Sequence, residues 1–205
     1  WGCSESDCSY RFVIDQNSAS TPSGSFDSTT TATQGVGTGT YYLHIQVQDE
    51  AGNISTTQHF SAELDNTAPQ ILGLSDDSTP TKSKSWNWSC DETCTYRFKV
   101  DQNSSSTPSG AYGGTTSTTQ GSGDDTYYLH IQAEDDLGNE SSVSHFSAIL
   151  DNTAPELAGL SDDTTPTELK TWNWGCTEAN CSYRFEVDTN SSTTPSGSFV
   201  SNTST

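Results

Sequence analysis

Residues that could do chemistry recur at fixed places along this chain: three close cysteine pairs, acidic clusters in turn-like stretches, and two spaced pairs of histidines. Cys3 and Cys8 enclose four residues, Cys90 and Cys94 three, and Cys176 and Cys181 four. Zinc wants four ligands, and no matching His or Cys lies nearby in sequence, so a disulfide across a short hairpin fits each pair better than a metal. Disulfides imply an oxidising, extracellular setting. His44 with His59, and His130 with His145, fall on the outward faces of strands expected to pair. A neutral pair could ligate zinc, yet two ligands alone make a poor site, so a solvated sheet face is the expectation. Arg97, Tyr128, His130 and His145 form a polar-aromatic stripe. Cross-strand pairing and snorkelling explain it plainly; contact with a glycan or another chain is its functional reading. Nothing points to catalysis: there is no nucleophile elbow, Gly-rich phosphate loop or H-E-x-x-H motif. An isopeptide link from Lys84 or Lys170 to an Asn has no supporting spacing.

The elements that position these groups come in repeats. The string TYYLHIQ at 40–46 returns at 126–132, DNTAP at 65–69 returns at 151–155, and WNWSC at 86–90 returns as WNWGC at 172–176. The period is therefore about 86 residues, with a one-residue slip inside the cysteine loop. This divides the chain into a partial repeat at 1–66, a complete one at 67–152 and a partial one at 153–205, an expected excerpt of a longer tandem array. Within one repeat, apolar residues alternate with polar ones, as in half-buried strands. Trp86, Trp88 and Cys90 share one face of a strand over 84–90. Tyr96, Phe98 and Val100 do so on the next, as do Tyr127, Leu129, Ile131 and Ala133, and then Phe146, Ala148 and Leu150. Between 101 and 120 strand signals are weak. Seven sequons start at Asn53, Asn87, Asn103, Asn139, Asn180, Asn190 and Asn202, and matter only in a host that glycosylates.

Composition agrees with an all-β reading. Hydrophobic residues make up only 29% of the chain and Met is absent, while β-branched Thr is abundant. Disorder is the rival at such low hydrophobicity, but the aromatics spread along the chain argue against it. With 7 basic against 27 acidic residues, the net charge of −20 repels nucleic acid and anionic lipid and attracts cations. No apolar run is long enough for a membrane helix, so no membrane insertion is expected in this segment.

The run YYLHIQAEDDLGN…FSAILDNTAP resembles the last two strands and linker of bacterial immunoglobulin-like repeats, common in large surface adhesins and fibrous extracellular proteins. The D-x-x-G-N turn (Asp49 to Asn53, Asp135 to Asn139) and the D-N-T-A-P linker carry most of that resemblance. It implies tandem immunoglobulin-like β-sandwich repeats of about 86 residues. In that strand order, acids converge at the two ends of a repeat. The entry end gathers Asp65, Asn66, Asp91, Glu92, Asp135 and Asp136. The exit end gathers Asp76, Asp77, Asp124, Asp125, Asp151 and Asn152. Calcium, which takes six to eight oxygens, suits such clusters, and the arrangement is similar to the interdomain calcium sites of cadherins. The competing reading is ordinary turn chemistry on a soluble surface.

The function expected is that of a bacterial extracellular stalk or fibre segment, without enzymatic activity, packed against neighbouring repeats of its own chain and, as a filament, against other copies. A glycan- or cell-binding module is the first alternative, and a non-catalytic spacer in a secreted enzyme the second.

Overall fold

The computed structural model describes residues 1–201 and 203, so the sequon beginning at Asn202 lies outside the described residues. Among these, every regular element is a strand and none is a helix. The chain is all-β. It divides into two units, Trp1–Leu150 and Asp151–Thr205.

In the first unit the alternation seen in sequence becomes two main sheets with antiparallel centres of similar design. Strands β1 (Ser9–Asp15), β2 (Gly39–Gln48) and β3 (Gln58–Leu64) form a three-stranded sheet in that order. Short strands β4 (Ile71–Leu72), β5 (Asp77–Thr81), β6 (Lys84–Asn87) and β7 (Ser89–Cys90) follow. Then come β8 (Cys94–Asp101), β9 (Ser117–Gln120), β10 (Asp125–Asp135) and β11 (Ser144–Leu150). A four-stranded sheet is ordered β5-β11-β10-β8, with β5 parallel to β11 and the other pairs antiparallel. Edge strand β5 tolerates Pro80 because its missing N–H need not serve a ladder on both sides.

Across the inner face of this sheet, Leu129 lies opposite Val100 and Phe146, and Ile131 opposite Phe98. Leu129, Ile131, Ala133, Ala148 and Leu150 are buried there with Tyr96. The second layer is thin: β6 pairs with β9, β4 pairs with β7, and between them Trp86 and Trp88 lay their rings on the sheet. Trp88 meets the Tyr96 and Phe98 rings edge-on at centroid distances of 6.1 and 5.0 Å, a favoured aromatic geometry.

The single strand expected over 84–90 is broken at Trp88. Before it the chain pairs with β9; after it, with β4. The Trp88 backbone N–H donates to Thr116 O and its indole N–H to Thr115 O, so the switch of partner leaves neither donor unpaired. β9 itself lies in the stretch where strand signals were weak: its side chains are mostly Thr and Ser, and its place is fixed by pairing with the Trp strand.

The second unit contains β12 (Leu157–Ala158) paired with β13 (Gly175–Cys176). Trp174 packs against Tyr183 and Phe185 at 6.2 and 4.9 Å, repeating the Trp88 cluster. Disulfides close all three cysteine loops, Cys3–Cys8, Cys90–Cys94 and Cys176–Cys181. Three such bonds place the chain in an oxidising environment. Among the described residues no helix is long and apolar enough to cross a membrane.

Candidate functional site

Two constellations stand out in the first unit. The first is the junction where the segment after β3 leads into β4. Asn66 Nδ2 donates to Gly37 O (2.8 Å), Asn66 N donates to Thr38 Oγ1 (3.0 Å), and Thr38 shares a hydroxyl contact with Thr67 (2.6 Å). These bonds tie the linker to the turn before β2. Gly37 adopts φ +102°, a conformation that favours glycine, and a Cβ there would overlap the Tyr41 hydroxyl.

The same linker is tied forward. Asn139 Nδ2 donates to Asp65 O (3.3 Å), Gln70 N donates to Asp91 Oδ1 (2.8 Å), and Asp91 N donates back to Gln70 O (3.2 Å). Asp135 organises the D-x-x-G-N turn. Its Oδ1 accepts from the backbone N–H of Leu137 and Asn139, each at 2.8 Å, and its Oδ2 from Asn139 Nδ2 at 2.7 Å. Those bonds, led by the Asn139 side chain, hold the Asp135 carboxyl below its ordinary pKa.

Around this joint one carboxylate oxygen each from Asp65, Glu92 and Asp135 lie within 4.8 Å of one another. Calcium sits 2.3–2.6 Å from its oxygens, so oxygens sharing one ion stand up to about 5 Å apart, and the three fit. Burial and then the negative charges of Asp65, Asp135, Asp91 and Asp136 push the Glu92 carboxyl above its ordinary pKa. A divalent cation would relieve that crowding. Of the entry-end residues, Asn66 serves the linker and Asp91 clasps Gln70.

The exit-end acids are placed otherwise. Asp76 Oδ1 accepts from Ser147 N and Oγ at 2.7 and 2.9 Å. Asp77 Oδ2 pairs with Lys84 Nζ at 2.7 Å, so Lys84 meets an Asp and not an Asn. Asp125 Oδ1 caps Thr126 N, and Asp151 Oδ1 caps Thr153 N. Asp124 and Asn152 also have partners. Among the described residues, Asp65, Glu92 and Asp135 form the one group of three or more such ligands that gathers around a common point.

The second constellation corrects the reading of the histidines as a solvated face. His44 and His130 are wholly buried, although they lie on the face opposite the apolar core. Local partners enclose them. His130 sits directly opposite His145 on β11, with their Nδ1 atoms 2.6 Å apart, and the Tyr128 ring stacks beside it at 6.2 Å. On its other side His130 Nε2 lies 3.1 Å from Asp101 Oδ1, at the end of β8.

Asp101 is an acceptor held well below the ordinary carboxylate range, chiefly by Lys99 Nζ (2.6 Å) and then by Ser106 Oγ (2.7 Å). An ionised carboxylate only accepts. His130 therefore donates its Nε2–H to Asp101, and in the neutral ring this leaves a lone pair on Nδ1 facing His145 Nδ1. The first sheet repeats the array: Asp15 Oδ1 is 3.3 Å from His44 Nε2, and His44 Nδ1 is 2.5 Å from His59 Nδ1. His59 and His145 are exposed. Asp15 and Asp101 were not singled out in the sequence, although each ends its strand two residues before an Asn, with the same spacing to its His.

Arg97, also of the stripe, lies over the Tyr112 ring at 4.6 Å and donates from Nε and Nη2 to Gln132 Oε1 at 3.0 and 2.7 Å. Arg11 over Phe26 and Arg184 over Phe199, at 4.6 and 5.0 Å, repeat this stacking. The aromatic partners lie in the Ser/Thr/Gly stretches, where composition hid them.

No family model and no curated protein matches this sequence. Among solved structures the chain is similar to a crystal structure of Drosophila N-cadherin EC1-3, at 17% identity and a TM-score of 0.30, over 72% of this chain and 56% of that one.

Proposed function

We propose that this chain is a stretch of extracellular structural repeats, immunoglobulin-like sandwiches of about 86 residues strung in tandem, that acts as a stiff spacer of the adhesin-stalk or fibre kind. The observation that carries the reading is the linker at Asp65–Gln70, which is hydrogen-bonded backward to Gly37 and Thr38 and forward to Asp91 and Asn139. A flexible tether would leave such groups to water. Fixing both ends converts repeat number into length, as in other quasi-one-dimensional arrays. The Asp65, Glu92 and Asp135 carboxylates supply a seat for calcium at the same joint. An ion there would neutralise the repulsion and stiffen the joint further.

Paired spin labels, one in each of the first two repeats, test this in the full chain. A narrow distance distribution that broadens in Asn66→Ala/Asn139→Ala, and broadens partly in chelator, is the expected result. A broad distribution with calcium present would overturn the spacer reading. Narrow distributions indifferent to chelator would remove the ion and leave the hydrogen-bonded joint. A glycan array probed with the whole chain should stay silent, and specific retention would favour a binding module instead.

A further inference from the structure

We infer that the Asp101–His130–His145 and Asp15–His44–His59 arrays are two transition-metal sites, each taking one borderline divalent ion of the zinc or copper class between the paired Nδ1 atoms. The chemistry differs from that of the acidic joint. Imidazole nitrogen suits zinc, copper and nickel, whereas calcium wants oxygen.

Three observations carry the assignment. First, each buried histidine gives its Nε2–H to a carboxylate, at 3.1 Å for His130 and 3.3 Å for His44. That contact fixes the tautomer and aims the Nδ1 lone pair across the strands, as carboxylates behind metal-bound histidines do. Second, the facing atom of the partner is also Nδ1, from a residue directly opposite in register, His145 or His59. Opposed residues on antiparallel strands hold their Cβ atoms about 4.5–5.5 Å apart, a span that one ion can bridge with two rings. Third, the outer histidine of each pair is exposed, which gives an ion a path to a nitrogen whose partner is buried.

Nitrogens bound to one tetrahedral zinc at 2.0–2.1 Å stand about 3.3 Å apart. The pairs stand at 2.5 and 2.6 Å, the separation of ring nitrogens sharing a proton. An ion enters by replacing that proton. The exposed ring rotates outward, its proton passes through solvent from Nδ1 to Nε2 so that the ring stays neutral, and both Nδ1 lone pairs turn to the metal. Water fills the remaining positions, so the site is open and its ion exchangeable. Acid competes for the same lone pairs and weakens binding.

Isothermal titration of the full chain with Zn2+, in millimolar calcium to occupy carboxylate sites, tests the assignment, with Cu2+ and electron paramagnetic resonance as a second readout. Two equivalents of zinc are expected, and nitrogen hyperfine structure from imidazoles. His145→Ala and His59→Ala, both at exposed positions, should each remove one equivalent while circular dichroism is unchanged. Asp101→Asn should weaken the second site by about 10- to 100-fold and leave the first untouched. Binding undiminished in His59→Ala/His145→Ala, a copper signature from oxygen ligands alone, or no heat with the native chain would each overturn the proposal.

Discussion

The β1–β3 sheet and the β8-β10-β11 sheet are built from nearly the same residues, yet they differ on one face. Their outer faces match closely: each pairs its histidines in the same register and ends its first strand in the Asp that holds the inner ring. Their inner faces diverge. Leu129 and Ile131 are sealed beneath Trp86 and Trp88, whereas Phe60 is 59% exposed although Phe146, its counterpart, is only partly so. Trp1 reaches Tyr10 and Phe12 at 6.3 and 5.3 Å, repeating the Trp88 contacts. Strand register and polar arrays therefore follow from local pairing. The dryness of the second sheet's inner face comes from what lies over it, the Trp86 and Trp88 rings.

The largest break in this comparison is expected in the core. Leu129→Ala should cost about 2–5 kcal/mol in chemical denaturation, the range for a leucine removed from a packed interior. Leu43→Ala, at the matching place in the less covered sheet, should cost clearly less. Equal losses would show that the inner face of the first sheet is as well packed as the second. Next comes the staple. Replacing Cys90 and Cys94 by Ser should lose about 2 kcal/mol by chain entropy for so short a loop. The loss at Cys3 and Cys8 should be smaller, because Cys90 and Cys94 also pack against the core cluster. Below these, Asn139→Ala removes the bonds to Asp65 and Asp135 and should cost about 1 kcal/mol.

Much of this was legible in the amino-acid sequence, and the reasons are physical. Period-two alternation in Tyr127–Ala133 and Phe146–Leu150 names the buried face whatever covers it. Cysteines a few residues apart at a strand–loop–strand boundary can scarcely do other than pair. The grouping of Asp65, Glu92 and Asp135 was also within reach, because strand order alone brings the linker to those two loops. The break at Trp88 was hidden: alternation runs unbroken through Trp86, Trp88 and Cys90 and says nothing of which partner strand changes. The burial of His130 was hidden too. Alternation gives a side chain's face, but whether that face is wet depends on Tyr128, His145 and Asp101, which reach it from different strands or from two residues away.

Acid should separate the two sheets by a smaller margin. Asp15, Asp101 and Asp135 all have folded-state pKa values below those of the unfolded chain. Their stabilisation is complete above the ordinary Asp range, near pH 4, and is lost as pH falls through the lowered values. Denaturation midpoints should thus drop on acidification below that point. Asp101→Asn should flatten the drop more than Asp15→Asn, because Lys99 pairs with Asp101 while Val13 stands at the matching place in the first sheet.

Glu92 has the opposite sign. Its pKa is raised in the folded state, so its ionised form opposes folding above that value, and its protonation favours folding as pH falls through it. In chelator at neutral pH, Glu92→Gln should therefore raise Tm slightly by removing one of several crowded charges. In calcium the order should reverse, since the variant loses an oxygen ligand while the native chain gains a neutralising ion. If Glu92→Gln is the more stable protein in both media, the joint is held by its hydrogen bonds alone and the carboxylates are only turn chemistry.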